Sequence, residues 1–238
     1  GIPKSGRTVR SVLLGKRPAE QASDKRTEDS LFVYYHGIRP GEYEIRAAYS
    51  GKLRRASKEP FRYACPQPAV QDSTTRGDWP GQYGSKGYVF CHYEPDGSHR
   101  IRLPEFTDSI RFAKTGGLHI ATRTDDRRAP VSEDGSGTRN AGTVVTLDPA
   151  PCNQTMTVDI RNKHDGPYRL ALYFVDWEKT GRRSAVEVFD LDDKRLLMPV
   201  QIVRDYREGR YVVLSLEGSV RLRINQVRGT NASLCALF

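Results

Sequence analysis

Residues 168–190, YRLALYFVDWEKTGRRSAVEVFD, restrict what this chain can fold into more than any other stretch. Tyr168, Leu170, Leu172 and Phe174 fall on one face at period two, and Arg169, Ala171, Tyr173 and Val175 on the other. Val186 and Val188 resume the alternation around Glu187 after a polar segment bent at Gly181. Two strands therefore hold up a loop that carries Asp176, the indole of Trp177 and the guanidiniums of Arg182 and Arg183. Such chemistry on a loop over a patterned frame points to recognition more than to catalysis.

The same period recurs along the chain. Strands are expected over residues 31–35, 42–49, 88–93, 100–103, 109–112, 118–122, 143–147, 156–160, 197–203, 211–216, 220–224 and 234–238. In residues 220–224 Val220, Leu222 and Ile224 point one way, and Arg221 and Arg223 the other. The glycines and Pro80 between Gly77 and Tyr88 rule out a helix there and leave Trp79 and Tyr83 on irregular backbone. About a dozen short strands with no convincing amphipathic helix argue for an all-β sandwich.

Two regions are expected. Residues 1–65 form a small, basic, β-rich region, in which strands 31–35 and 42–49 make an immunoglobulin-like hairpin around Pro40 and Gly41, and the charged tract 16–29 is a solvated loop. So few strands make a marginal domain alone, so this region packs on the larger one or completes it. Residues 66–72 read as a linker, and residues 72–238 as the main sandwich.

Charge narrows the function classes. The net charge is +9 over 238 residues. Residues 1–64 hold 14 Lys and Arg against 7 Asp and Glu, and the rest 24 against 22, so the excess sits in the first quarter. No zinc-finger, RNP or KH motif accompanies it, so nucleic acid is not the expected partner, whereas an anionic polysaccharide would satisfy the same field. No run of about 18 apolar residues is present, so no membrane span is expected. The opening GIPKSGRTVR lacks an apolar core, so an export signal is expected to have been removed or never to have existed. Cys65, Cys91, Cys152 and Cys235 stand in no metal-like spacing, and at most one disulfide is expected. No cofactor and no metal is expected.

YRLALYFVDW…GRR…VEVFD, the closing VRLRINQVRGTNASLCALF and the segment TRGDWPGQYGSKGYVF resemble the malectin-like and NPCBM-like jelly rolls of bacterial polysaccharide-degrading enzymes, over roughly residues 72–238. The resemblance implies a galactose-binding-like jelly-roll β-sandwich, secreted or periplasmic, that holds a plant or algal glycan, neutral or acidic, or braces a catalytic module of the same parent chain.

Sandwiches bind sugars with aromatic rings stacked on pyranose C–H faces beside groups that pair with hydroxyls. Trp79, Tyr83, Trp177, Arg182, Arg183, Asn225 and Asn231 fit that inventory. Each has a structural counterpart: an indole can cap a core or pin a loop, arginines can solvate a turn, and asparagines can satisfy turn backbone. No catalytic residue is assigned. Asp176, Glu178 and Glu187 carry no glycosidase motif, and His36, His92, His99, His119 and His164 are scattered. The expected function is a non-catalytic carbohydrate-binding domain, with a ligand-free brace and a polysaccharide lyase or glycosidase as alternatives.

Overall fold

The computed structural model describes residues 69–147 and 154–238 in full, together with the backbone of nine short strands between residues 2 and 63. The chain divides into two compact units, Gly1–Pro66 and Gln67–Phe238.

The first unit contains β1 (Ile2–Pro3), β2 (Val9–Leu14), β3 (Arg17–Pro18), β4 (Gln21–Arg26), β5 (Ser30–Tyr35), β6 (Gly41–Tyr43), β7 (Ile45–Tyr49), β8 (Lys52–Arg55) and β9 (Phe61–Tyr63). They form three small sheets, ordered β1-β5-β4, β3-β2-β7-β8 and β6-β9. The hairpin expected from residues 31–35 and 42–49 is therefore not formed. β5 pairs with β1 and β4, whereas β7 pairs with β2 and β8. The charged tract expected to be loop contributes β3 and β4. Alternating charge does not exclude a strand when a neighbour supplies the ladder bonds. The turn expected around Pro40 lies outside the described residues.

The second unit contains β10 (Val70–Asp72), β11 (Tyr88–Phe90), β12 (Arg100–Arg102), β13 (Thr107–Ala113), β14 (Thr115–Ala121), β15 (Ala141–Thr146), β16 (Thr155–Asn162), β17 (Pro167–Phe174), β18 (Arg183–Asp190), β19 (Gln201–Val203), β20 (Arg210–Glu217), β21 (Val220–Arg228), β22 (Ser233–Leu234) and β23 (Ala236–Leu237). The described residues contain no helix, and the fold is an all-β, jelly-roll sandwich. A six-stranded sheet, β10-β20-β17-β23-β11-β12, faces a five-stranded sheet, β13-β16-β21-β18-β19, and β14-β15-β22 adds a third layer of pairing. Part of the segment read as linker is in fact the edge strand β10, antiparallel to β20.

The core lies where the period-two pattern puts it. Leu170, Leu172 and Phe174 of β17 and Val212, Leu214 and Leu216 of β20 meet Val158 and Ile160, Val186 and Val188, and Leu222 and Ile224 of the opposite sheet. The other face of the six-stranded sheet is also buried. Ala171, Tyr173, Val175, Tyr211, Val213, Tyr88, Phe90 and Tyr93 form a second, aromatic core that is closed by Trp79. β17 is thus apolar on both sides over its second half, which is why its last five residues, Leu170 to Phe174, are all buried instead of alternating.

The cover over this second core is the glycine-rich segment 73–87. Trp79 is 4% exposed, packs against Tyr88 and Phe90 at 5.5 Å each, and donates its indole N–H to the Val131 carbonyl at 2.7 Å. Gly84 lies beneath that indole with φ +72°, and a Cβ there would sit 2.6 Å from the ring. Tyr83 stacks on Tyr211 at 4.2 Å and donates its hydroxyl to Asp72 at 3.0 Å. Asp78 binds Arg139 and Arg127, tying the cover to segment 124–139.

Cys91 and Cys235 are buried free thiols. Cys65 and Cys152 lie outside the described residues.

Candidate functional site

The loop between β17 and β18 is built on one carboxylate. Asp176 accepts hydrogen bonds from the backbone N–H groups of Thr180 (3.2 Å), Gly181 (2.7 Å) and Arg182 (3.1 Å) and from the Arg182 guanidinium (2.6 Å). Its own N–H donates to the Tyr206 carbonyl at 2.9 Å. Gly181 takes φ +78°, which the return of the chain requires. Burial pushes the Asp176 carboxyl up, but these donors outweigh it and hold the pKa below the usual carboxylate range.

Arg182 is 4% exposed. Besides Asp176 it binds Glu178, donates through Nε to Asn231 Oδ1 at 2.9 Å and through Nη2 to Thr230 Oγ1 at 3.2 Å. Arg182 and Asn231 are therefore brought together, as a strut that joins the 176–183 loop to the β21–β22 connection.

Trp177 sits on this frame and is half-buried. Its indole nitrogen is buried beside the Cys235 thiol, and the Arg128 guanidinium lies 5.1 Å from the ring centroid. Arg128 is held by Asp126 (2.6 Å) and by the Arg207 carbonyl (3.0 Å). The ring is thus fixed from below and from one side, with Glu178, Lys179 and Thr180 exposed around it.

The seven residues singled out from the sequence do not converge. Trp79 and Tyr83 belong to the cover on the six-stranded sheet, and Trp79 presents no face to solvent. Trp177, Arg182 and Asn231 share one loop end, but Arg182 and Asn231 are committed to each other and to Asp176. Arg183 is half-exposed at the start of β18, paired with Arg228. Asn225 is fully buried on β21, donates to Glu187 at 2.8 Å and accepts from Thr155 at 2.8 Å. Sequence reasoning missed Arg128 and Asp126. The RTDDRRAP segment reads only as a charged loop, and nothing in it signals a cation stacked on an indole 49 residues away. Among the described residues no group of three or more His, Cys, Asp or Glu is arranged to hold a metal ion.

No family model matches this chain. No curated protein matches it either, so the resemblance to malectin-like and NPCBM-like domains stays one of strand pattern. Among solved structures, the chain is similar to a family 35 carbohydrate-binding module from an environmental isolate, with 9% identity and a TM-score of 0.33 over 55% of this chain and 86% of that one. It is similar to a family 35 module from Clostridium thermocellum, with 11% identity and a TM-score of 0.29 over 55% and 96% of the two chains. A third is TmCBM61 in complex with β-1,4-galactotriose, with 11% identity and a TM-score of 0.32 over 54% and 87%. At these identities and TM-scores none of them transfers a ligand or a site to this chain.

Proposed function

We propose that this chain is a non-catalytic carbohydrate-binding domain, of the malectin-like kind and accessory to a secreted or periplasmic polysaccharide-degrading enzyme. The observation that carries this is Trp177: a half-buried indole on a surface loop whose conformation is fixed by Asp176, with a guanidinium on one side. A pyranose ring stacks on such a surface without the loop having to order first, and preorganisation of this kind lowers the cost of binding. The exposed Glu178, Lys179 and Thr180 supply partners for hydroxyl groups.

Affinity electrophoresis of the chain against a panel of neutral and uronic-acid polysaccharides tests the proposal. Retardation by at least one glycan, lost in Trp177→Ala while the thermal transition is kept, supports it. Mobility unchanged on every glycan would discard it. A second role, as a ligand-free brace for a catalytic module, is favoured by the internal saturation of Arg182 and Asn231 and by the burial of Trp79. It predicts that no glycan retards the protein.

A further inference from the structure

Five large apolar side chains are exposed among the described residues, and three of them gather at β14: Leu118, Ile120 and Leu147, which are 53%, 41% and 64% exposed. Gly117 and His119 of that strand face inward. A Cβ at Gly117 would enter the His92 ring, and His119 Nδ1 lies 3.1 Å from the His92 carbonyl oxygen. Gly116, Leu118 and Ile120 are therefore turned outward. Gly116 has no side chain of its own, and that of Leu147 fills the place: a Cβ there would lie 2.7 Å from Leu147 Cγ. The outward row of β14 thus presents three aliphatic groups in succession.

β14 is also an unguarded edge. It pairs with β15 alone, and among the described residues no loop backbone bonds to residues 115–121. Exposed edges are commonly blunted by charge, by proline or by shortness. The edge strand β12 carries Arg100 and Arg102, β13 carries Asp108 and Arg111, and β19 has only three residues. β14 has seven residues, TGGLHIA, with no Lys, Arg, Asp, Glu or Pro. Its one such device is the bulge between His119 and Ala121, near its end. Charge stands just outside the strand instead. Lys114 and Arg123 are exposed, and among the described residues no carboxylate lies within ion-pair distance of either.

We propose that β14 is a docking edge for an extended segment of a partner protein, added as a further strand. The segment carries apolar side chains at period two against Leu147, Leu118 and Ile120, and a carboxylate at each end for Lys114 and Arg123. In such additions ladder bonds supply the affinity and alternate side chains the specificity. The two cations bracket about 30 Å of strand, which sets the length of the segment. Charge selects this occupant over a second copy of the chain. A copy paired antiparallel about Leu118 would bring the Lys114 of each chain beside the Arg123 of the other, with like charges at both ends of the ladder. A segment with acidic ends meets both cations with the opposite sign, in either strand direction.

The test is fluorescence anisotropy of the full chain with three labelled, capped peptides of alternating Val and Thr. One has Glu residues at both ends, one has Lys residues at both ends, and one is the Glu-ended peptide with its central residues replaced by proline. Only the first is expected to bind, and hydrogen exchange is expected to slow at the amides of residues 115–121 when it does. Affinity should fall about fivefold in Lys114→Gln/Arg123→Gln and be lost in Leu118→Ser/Ile120→Ser, while the control Lys86→Gln behaves as wild type. All of these side chains are exposed, so the thermal midpoints stay near that of wild type and lost affinity is not lost fold. Equal binding of the Glu-ended and Lys-ended peptides overturns the inference. So does binding that survives Leu118→Ser/Ile120→Ser or leaves residues 115–121 unprotected, and so does failure of all three peptides to bind. A dimer seen by light scattering and abolished by Leu118→Ser/Ile120→Ser gives the edge to a second copy and overturns it as well.

Discussion

Oδ1 of Asp176 lies 2.6 Å from Nη1 of Arg182, and the two side chains are 1% and 4% exposed. Removing one member of such a pair leaves the other buried and uncompensated. Asp176→Ala is therefore expected to cost about 3–5 kcal/mol, read as a fall in the denaturation midpoint. The pH dependence follows from the lowered carboxyl pKa: this stability is present above the ordinary value of 3.8 and is lost as pH falls through the folded-state value. Asp176→Asn should flatten that acid limb of the stability curve. An unchanged limb would show that the ion pair contributes nothing.

Trp79 and Trp177 are expected to behave in opposite ways. Trp79 closes an aromatic core and donates to the Val131 carbonyl, so Trp79→Ala should destabilise by about 3–5 kcal/mol whatever glycan is present. Trp177→Ala should cost much less in stability and should abolish glycan retention. Urea denaturation of both variants beside affinity electrophoresis separates the roles.

How far the sequence disclosed this arrangement depends on which face of a strand is asked about. The period-two rows that place Leu172, Val188 and Leu222 in one core are read directly from the chain, because burial on a sheet follows residue parity. The second core is not, since Ala171, Tyr173 and Val175 are equally apolar and parity cannot say what lies above them. What covers them is a loop 90 residues earlier in the chain, and Trp79 there has the composition of either a plug or a platform. The site suffers in the same way. Asp176, Trp177 and Arg182 were legible as neighbours in sequence, whereas Arg128 over Trp177 and Arg228 against Arg183 are long-range pairings that no local pattern encodes.

His99 gives a second pH window. The His92 backbone N–H donates to His99 Nδ1 at 2.9 Å, and the two rings stand 4.6 Å apart, edge to face. Burial, and then the neighbouring His92, lower the His99 pKa below its ordinary 6.5, so the folded state holds the neutral ring. Its contribution is complete above pH 6.5 and is lost as pH falls below that value. His99→Gln should make the pH dependence of the urea midpoint less steep as pH falls below 6.5.

The two described cysteines are expected to be inert in the native protein. Burial pushes the Cys235 thiol up to about 11 and the Cys91 thiol well above its ordinary value, so almost no thiolate is present at neutral pH. Iodoacetamide at pH 8 should leave both unmodified in native buffer and label both in urea, as read by peptide mass spectrometry. Native labelling at Cys235 would mean that the strands around it open readily.

The floor formed by Tyr88, Phe90 and Tyr211 has the makings of a sugar platform, yet its tenants are already installed: the indole of Trp79 on the first two and the ring of Tyr83 on the third, both delivered by the chain itself. The protein is consequently two-faced, with one wall of the sandwich permanently self-occupied. On the proposed function, a glycan therefore has to meet the protein at the loop end that carries Trp177 and not on this wall.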